Sequence, residues 1–258
     1  MSASSGMAPE ASRRPRGPFM AILVYTLQSC FPRKRWLAVL VPCAGVLLFG
    51  LLAHSVDETG QRAFATVAAD GIFGLTIPIA ALVIGDSVLG AEVRAGTFHF
   101  TWLSPIPTWK VVVGRWLGGS LVALVTIAPA AALAAVIAGS SELAGATFVA
   151  AAVGSAGYVA VFVAIASLTG RTAVWSLAFV FLVERLLGTA LTGIAQLSPT
   201  WESRAIFLGL LNDVPSDVVR DGIPQGGAAI VRLAIVTIVV LGVAIVRMGH
   251  MRMTGASD

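Results

Sequence analysis

Four charged residues lie within strongly apolar segments, and they are the first candidates for chemistry. They are Asp70, Glu184, Arg185 and Arg232. A charge inside a membrane is costly unless it is paired or hydrated, so such residues are functional candidates by default. Glu184 and Arg185 are adjacent and point to different sides of a helix, so they do not pair well with each other. We predict cross-helix pairs between Asp70 and Arg185 and between Glu184 and Arg232.

These intramembrane charges have two interpretations, and both stay open. The predicted pairs can serve only to fix the register of neighbouring helices. Alternatively, they form an outer gate or a hydrated cavity through which a substrate passes. A proton relay is disfavoured, because the four charges do not form a chain across the membrane.

Sequence patterns for catalysis or nucleotide binding are absent from the chain. The three histidines, His54, His99 and His250, lie in separate segments, and no metalloprotease, serine-hydrolase or double-cysteine metal motif occurs. A phosphate-binding loop needs Gly before its Lys and Ser or Thr after it, and neither Lys34 nor Lys110 has these neighbours. We therefore expect no enzyme activity, cofactor or metal in this chain, and any ATP hydrolysis that drives it must occur on another chain.

One polar stretch between two apolar segments, residues 85–119, carries an ordered pattern of its own. A helical piece of about ten residues from Asp86 is too short to span a bilayer, which needs about twenty. Asp86 or Ser87 can cap its start, and Gly96 can take the left-handed position at its end. Pro105 then stops any helix from continuing. The pattern predicts a short surface helix held between two spans and suited to docking on a partner, with an ordinary solvated loop as the alternative.

This stretch resembles the cytoplasmic loop between the second and third spans of ABC type-2 exporter permeases. In that family a Glu is followed four residues later by Gly-Thr, then by a Leu-x-x-Pro turn and a basic-aromatic entry into the next span. The matching residues are Glu92, Gly96, Thr97, Leu103, Pro105 or Pro107, Trp109, Lys110, Gly114 and Arg115. Arg115 stands where the family often has Lys. The span count and spacing resemble the family over nearly the whole chain.

The resemblance implies a permease subunit that forms the substrate pathway and is coupled to a separate cytosolic ATPase. The expected partners are two copies of that ATPase, which carry ATP and Mg²⁺, a second permease that is identical or homologous, and membrane lipid. The residues expected to couple the chain to the ATPase are Asp86, Glu92, Arg94, Gly96, Thr97, Pro105 and Trp109. An apolar interior would suit an amphipathic drug, a peptide or a lipid-like molecule as substrate. Nucleic acid is not an expected partner, because no basic patch interleaved with exposed aromatics lies outside the apolar segments.

The composition indicates an integral membrane protein. Of the 258 residues, 57% are hydrophobic and only 12% are charged, against about 25% in soluble domains, and the mean hydropathy is +0.89. Cys30 and Cys43 lack metal or redox spacing, so we predict free thiols packed as small apolar groups. We expect one membrane domain over residues 19–258, preceded by a disordered cytoplasmic N-terminus over residues 1–18.

The apolar segments predict an all-α polytopic membrane protein with six transmembrane helices. The predicted spans are 36–53, 63–85, 111–138, 144–168, 172–191 and 228–246. Residues 19–31 are apolar but too short to span, which predicts an interfacial helix, and the family has such an elbow helix before its first span. A signal peptide is the rival interpretation, but no small-x-small cleavage site follows. Residues 199–212 predict a short helix in the outer interface or dipping back into the membrane, where the family has a pair of re-entrant helices.

Basic residues set the predicted orientation. With the N-terminus inside, far more Lys and Arg residues lie on the inner side of the spans than on the outer side. The positive-inside rule therefore places both termini and the 85–119 stretch in the cytoplasm, in a prokaryotic plasma membrane. The GxxxG pair Gly114 and Gly118 predicts close helix packing within one fold rather than a dimer contact.

Two further function classes compete with a transport subunit. One is a non-transporting membrane scaffold that recruits a cytosolic partner. The other is a stand-alone secondary transporter, which should show inverted internal repeats, and the sequence shows no such repeat. A gene for an ATPase with a phosphate-binding loop beside the gene for this chain would favour the transport subunit over both.

Overall fold

The computed structural model describes residues 17–30, 36–56, 61–97, 105–187, 196–211 and 225–250. Every regular element in these ranges is helical, and none of them contains a strand. The predicted all-α architecture is therefore confirmed. The N-terminal segment predicted to be disordered lies outside the described residues over positions 1–16.

Eight helices follow one another along the described residues. Helix α3 is a continuous rod over 61–94, which begins as Gln61–Val67 and ends as Ala91–Arg94. Helix α6 covers 172–187. The others are α1 (Pro18–Cys30), α2 (Trp36–Val56), α4 (Thr108–Ile137), α5 (Ala144–Leu168), α7 (Pro199–Gly209) and α8 (Gly227–Gly249).

Parts of α3 and α6 are wound as π-helix. The π segments are Ala68–Thr76 and Asp86–Gly90 in α3 and Phe179–Leu187 in α6. Such segments are rare and occur frequently at functional sites. Each of these three segments contains an acidic residue that the sequence marks as a candidate, namely Asp70, Asp86 and Glu184.

Five helices in the described residues are long and apolar enough to cross a membrane. They are Val39–Val56, Ala63–Arg94, Thr108–Ile137, Ser141–Leu168 and Gly227–Gly249. The remaining predicted span, 172–191, is helical over 172–187, but its apolar part, Thr172–Glu184, is shorter than a span requires, and 188–195 lie outside the described residues. The architecture is that of a multi-pass helical membrane protein with five candidate spans.

Helices α2 and α8 lie at the periphery of the bundle, and only 28% of each candidate span is buried within the chain. Their outward faces carry large exposed apolar side chains, including Leu40, Val41 and Leu48 on α2 and Ile235 and Ile238 on α8. Apolar patches of this extent on a water-soluble protein would promote aggregation. They fit a hydrocarbon environment, in which a helix satisfies its own backbone groups.

Helix α5 is the centre of the bundle and packs against α3, α4, α7 and α8. Tyr158 and Phe162 are fully buried, with stacked rings 5.6 Å apart. Glycines let the neighbouring helices approach closely, because a Cβ on Gly85 would lie 2.7 Å from Phe162 Cβ, and one on Gly119 would lie 2.8 Å from Val159. Close van der Waals contact of this kind drives helix association in lipid, where the hydrophobic effect does not.

The predicted GxxxG pair packs α1 against α4. A Cβ on Gly114 would lie 2.9 Å from Ile22 Cγ2, and a Cβ on Gly118 would lie 2.6 Å from Thr26 Cγ2. The Thr26 hydroxyl donates to the Ile22 carbonyl at 2.8 Å, so it is satisfied inside this apolar contact. The prediction of packing within one fold is confirmed, and α1 forms the helix predicted over 19–31.

Helix α7 packs inside the bundle rather than over its surface. Ser198 caps its start by accepting a backbone N–H bond of 3.2 Å, and Pro199 occupies the first turn, where its missing N–H and fixed φ are tolerated. Phe207 is fully buried, and its ring centre lies 5.2 Å from that of Phe73 on α3. The helix predicted over 199–212 is therefore present as Pro199–Gly209, and the polar residues 212–224 that follow lie outside the described part.

Candidate functional site

The first candidate site is the hairpin tip, which comprises the end of α3 (86–97) and the start of α4 (105–115). Helix α3 ends in a Schellman motif, in which Gly96 has φ of +67° and the Thr97 N–H donates to the Glu92 carbonyl at 3.1 Å. The left-handed Gly96 is confirmed. The predicted separate helix beginning at Asp86 is wrong, because α3 continues through Asp86 with helical φ and ψ of −65° and −38°.

The Asp86 side chain forms an ion pair with Arg94 instead of capping a new helix. Arg94 Nη2 donates to Asp86 Oδ2 at 2.8 Å, and Nη1 donates to Oδ1. The two side chains remain 41% and 23% exposed. Exposed pairs contribute only about 0–1 kcal/mol to stability. The main effect of this pair is to hold the Arg94 guanidinium at the end of α3.

Arg115 on α4 is the buried anchor of the tip. Its side chain is 3% exposed, Nη1 donates to the Val88 carbonyl at 2.7 Å, and Nη2 donates to Glu92 Oε2 at 2.7 Å. The guanidinium carbon lies 5.0 Å from the ring centre of Tyr25 on α1. A planar guanidinium can bond to a carboxylate and stack on an aromatic ring at once, so this one side chain joins α1, α3 and α4.

The role of Glu92 follows from this anchor. Its side chain is only 13% exposed and Arg115 binds its Oε2, so the carboxylate holds the shape of the tip rather than projecting toward a partner. Glu92 raises the pKa of the neighbouring Tyr25 hydroxyl, partial burial adds to the increase, and Arg115 opposes it. Within the described part of the chain, Glu92 Oε1 and Arg115 Nε have no hydrogen-bond partner.

Other predicted coupling residues form the exposed surface of the tip. Arg94, Gly96 and Thr97 are exposed at the end of α3, and Pro105 is exposed just before α4. Half of the Trp109 surface is accessible at the start of α4. Leu103 belongs to 98–104, which lie outside the described residues. The predicted coupling residues therefore divide into a buried member, Glu92, and members that a partner can touch.

The second candidate site lies at the start of α7, beside the middle of α5. The Tyr158 hydroxyl donates to Glu184 Oε2 and contacts the Thr200 hydroxyl, which donates to the same carboxylate oxygen at 3.1 Å. Tyr158 is fully buried, ten residues before the end of α5 at Leu168 and so about 15 Å from it. Glu184 therefore accepts bonds from two hydroxyl groups, and the predicted Glu184–Arg232 pair is wrong.

Arg232 pairs with Glu202 of α7 instead. Its Nε lies 2.9 Å from Glu202 Oε1, and its Nη2 donates to Gln196 Oε1 at 3.2 Å. Glu202 is 1% exposed, so this ion pair lies inside the bundle. The sequence alone did not point to Glu202, because the pair forms only when α7 folds into the bundle.

Asp70 pairs with Arg204 of α7 at 3.2 Å, and its side chain is 70% exposed. Asp70 therefore pairs with Arg204 rather than with the predicted Arg185, whose side chain lies outside the described part. Polar contacts from α7 thus reach α3, α5, α6 and α8. This second cluster, called the α7 cluster here, consists of Asp70, Tyr158, Glu184, Thr200, Glu202, Arg204 and Arg232.

Neither a model of a known protein family nor a characterised protein matches the sequence. The chemistry of the two sites must therefore come from the residues themselves. In the described ranges, no group of three or more His, Cys, Asp or Glu residues is placed to hold a metal ion. Cys30 and Cys43 are free thiols, as predicted. The hairpin tip can bind a partner, and the α7 cluster can hold helices in register or receive a polar group.

Proposed function

We propose that this chain is the permease subunit of an ABC exporter of the type-2 class. The observation that supports the proposal best is the hairpin tip, which the buried Glu92–Arg115 pair fixes from within and which exposes Thr97 and Trp109 at its end. An ATPase that opens and closes must push on a rigid element if its motion is to reach the membrane helices. A tip anchored to three helices meets that requirement.

Helix length supports a tip that stands clear of the bilayer. The apolar helix Ala63–Arg94 has 32 residues, and Thr108–Ile137 has 30. At 1.5 Å per residue they are about 48 and 45 Å long, whereas the hydrocarbon core is about 30 Å thick. The excess of about 15 Å at the ends of this hairpin is enough to carry the tip into the aqueous phase.

ATP hydrolysis occurs on a partner chain in this proposal. The sequence has no phosphate-binding loop, so ATP and Mg²⁺ belong to a cytosolic ATPase that is present in two copies. A second permease, identical or homologous, completes the pathway, because α5 occupies the packed centre of the described bundle. The substrate class that fits the apolar helices best is an amphipathic drug, a peptide or a lipid-like molecule.

The proposed topology has six spans, with both termini and the tip in the cytoplasm of a prokaryotic cell. The remaining span is the one predicted over 172–191, of which α6 is the described part, and α1 is the interfacial elbow helix. Helix α7 is a re-entrant helix that enters from the outer side, because its start lies beside Tyr158 near mid-membrane. The positive-inside rule supports this orientation through the basic residues at the ends of the helices.

The test is co-purification with an ATPase encoded beside this gene, followed by ATP hydrolysis measured with and without substrate in vesicles. Trp109→Ala should release the ATPase, with a loss of affinity of about thirtyfold, because a truncated hot-spot aromatic costs about 2 kcal/mol. Trp175→Ala is the matched control, since Trp175 on α6 is 58% exposed and lies outside the tip.

Each rival function has its own signature in that experiment. If the ATPase co-purifies but its rate of ATP hydrolysis does not change with any membrane substrate, the chain is a scaffold. Transport by the chain without any ATPase would indicate a secondary transporter. Either result, or equal ATPase retention by Trp109→Ala and the unaltered chain, would contradict the proposal.

A further inference from the structure

Helix α8 carries a groove that neither the transport proposal nor the hairpin tip uses. The groove has a volume of about 660 Å³ and lies between α8 and the end of α5. Its lining residues are Leu168, Val239, Gly242, Val243, Val246, Arg247 and His250. We infer that one anionic phospholipid binds here, with an acyl chain in the groove and its phosphate at Arg247 and His250.

The spacing of the lining residues gives the groove its direction. Those on α8 are separated alternately by three positions and one position, which places them on one helix face. The face is apolar from Val239 to Val246 and basic from Arg247 to His250. This face is about 16 Å long, close to half of the hydrocarbon thickness. It therefore matches one leaflet, with the charged end at the level of the headgroups.

The floor of the groove is made by a residue without a side chain. A Cβ on Gly242 would meet no atom within 4 Å, so the groove is open space beside the helix rather than a packed contact. Val239, Val243 and Val246 are each more than half exposed and form its apolar walls. A flexible hydrocarbon chain can fill a space of this shape without bringing polar groups into it.

The basic end has the charge that an anionic headgroup requires. Arg247 and His250 are exposed, and neither takes part in the ion pairs of the described residues. The His250 ring contacts the Val246 carbonyl through Nδ1 at 2.7 Å, which leaves Nε2 for a headgroup. Arg171 follows three residues after Leu168 and adds positive charge to the same end. A guanidinium binds phosphate through two hydrogen bonds, and basic pockets between membrane helices bind anionic headgroups.

Charge also distinguishes the lipid from a second copy of the chain. In a two-fold interface the same patch meets itself, so Arg247 and His250 would face their own counterparts. Like charges in contact are unfavourable, whereas a phosphate neutralises them. The inference concerns the chain alone, and it stands whether or not the chain transports a substrate.

The test is native mass spectrometry of the purified full-length chain, titrated with phosphatidylglycerol or phosphatidylcholine that carry the same acyl chains. The unaltered chain should bind phosphatidylglycerol at least fivefold more tightly, since one basic residue near an anionic lipid contributes about this factor. Arg247→Gln combined with His250→Gln should reduce the preference to about onefold. Lys110→Gln, a basic residue outside the groove, should leave the preference unchanged.

Gly242→Leu tests the acyl chain separately from the phosphate. A Cβ at this position meets no atom within 4 Å, so the new side chain should extend into the groove and weaken both lipids about equally while the fold is kept. Arg247→Lys should retain the preference, because it keeps the charge. Full preference in the Arg247→Gln, His250→Gln variant would overturn the inference. So would disulfide-linked dimers from Val243→Cys in the lipid-saturated chain, which would place a second copy in the groove.

Discussion

Arg115 and Arg94 are both paired arginines of the hairpin tip, but their surroundings differ. Arg115→Ala leaves the Glu92 carboxylate buried without its cation, so unfolding should become easier by about 3–5 kcal/mol. Arg94→Ala removes a pair that solvent screens, so its cost should stay within about 1 kcal/mol. Thermal unfolding of the two variants in one detergent makes the comparison. Equal losses would show that burial does not distinguish the two pairs.

Single residues were predictable where their role is local. Gly96 could be predicted as the left-handed residue after a short helix, because such a turn needs only neighbouring residues. The partners of Glu184 and Arg232 were not, since Tyr158 and Glu202 reach them from helices that lie far away in the chain. Glu202 gives no signal of its own in the sequence, because it stands beside Ser203 and Arg204 in a segment that is also typical of a surface helix.

At the scale of elements, the contact between α1 and α4 allows a direct test. The Ile22 Cβ lies 3.4 Å from the place where a Cβ on Gly114 would sit, close to the separation in a disulfide. Ile22→Cys with Gly114→Cys should therefore form a disulfide under mild oxidation, in a background where Cys30 and Cys43 are replaced by Ala. Gel mobility with and without reductant reports it.

Gly118 supplies the matched control for that crosslink. Adding Gly118→Val should prevent the disulfide, because the new side chain occupies the space of Thr26 and forces α1 away. Gly145→Val should leave the crosslink intact, since a Cβ on Gly145 meets nothing within 4 Å. If the disulfide still forms in the Gly118→Val variant, the packing of α1 against α4 does not depend on the missing side chain at Gly118.

Helices were predictable where the length of an apolar segment alone decides their position. The helices over 36–56, 144–168 and 227–249 lie close to the predicted spans. The continuation of α3 through residue 86 was not predictable, because Asp86 and Ser87 have the residue types of a helix start. The helix continues through them because Asp86 is bound to Arg94 and Ser87 donates to the Val83 carbonyl at 2.8 Å. Tertiary and i to i−4 bonds outweigh a capping preference there.

For the whole molecule, the proposed orientation predicts opposite accessibility of the two bundle ends. A cysteine in place of Glu142, which is exposed in the turn before α5, should react with an impermeant maleimide in intact cells. A cysteine in place of Thr97 should react only after the membrane is opened. The cysteine-free chain sets the background, and labelling of Thr97→Cys in intact cells would invert the topology.

The architecture of the whole molecule follows from composition, but the position of α7 does not. Apolar segments of about twenty residues with few charges favour helices, which satisfy their own backbone groups in lipid, so the multi-pass architecture was predictable. Whether an eleven-residue helix lies on a surface or enters the bundle depends on cavities between other helices. Phe207 fills such a cavity beside Phe73. The residues of 199–209 do not by themselves indicate that this cavity exists.

Helix α3 is continuous from residue 61 to residue 94, so a rotation at one end can be transmitted to the other. Each residue of an α-helix turns the axis by about 100°, and a π segment closes its hydrogen bonds one residue further along. If Asp86–Gly90 changed from π-helix to α-helix, Thr97 would rotate about the axis of α3 while Phe64 kept its buried position at the other end. We predict that ATPase binding changes the distance between spin labels at Thr97 and Gly170. An unchanged distance would show that α3 does not twist when the ATPase binds.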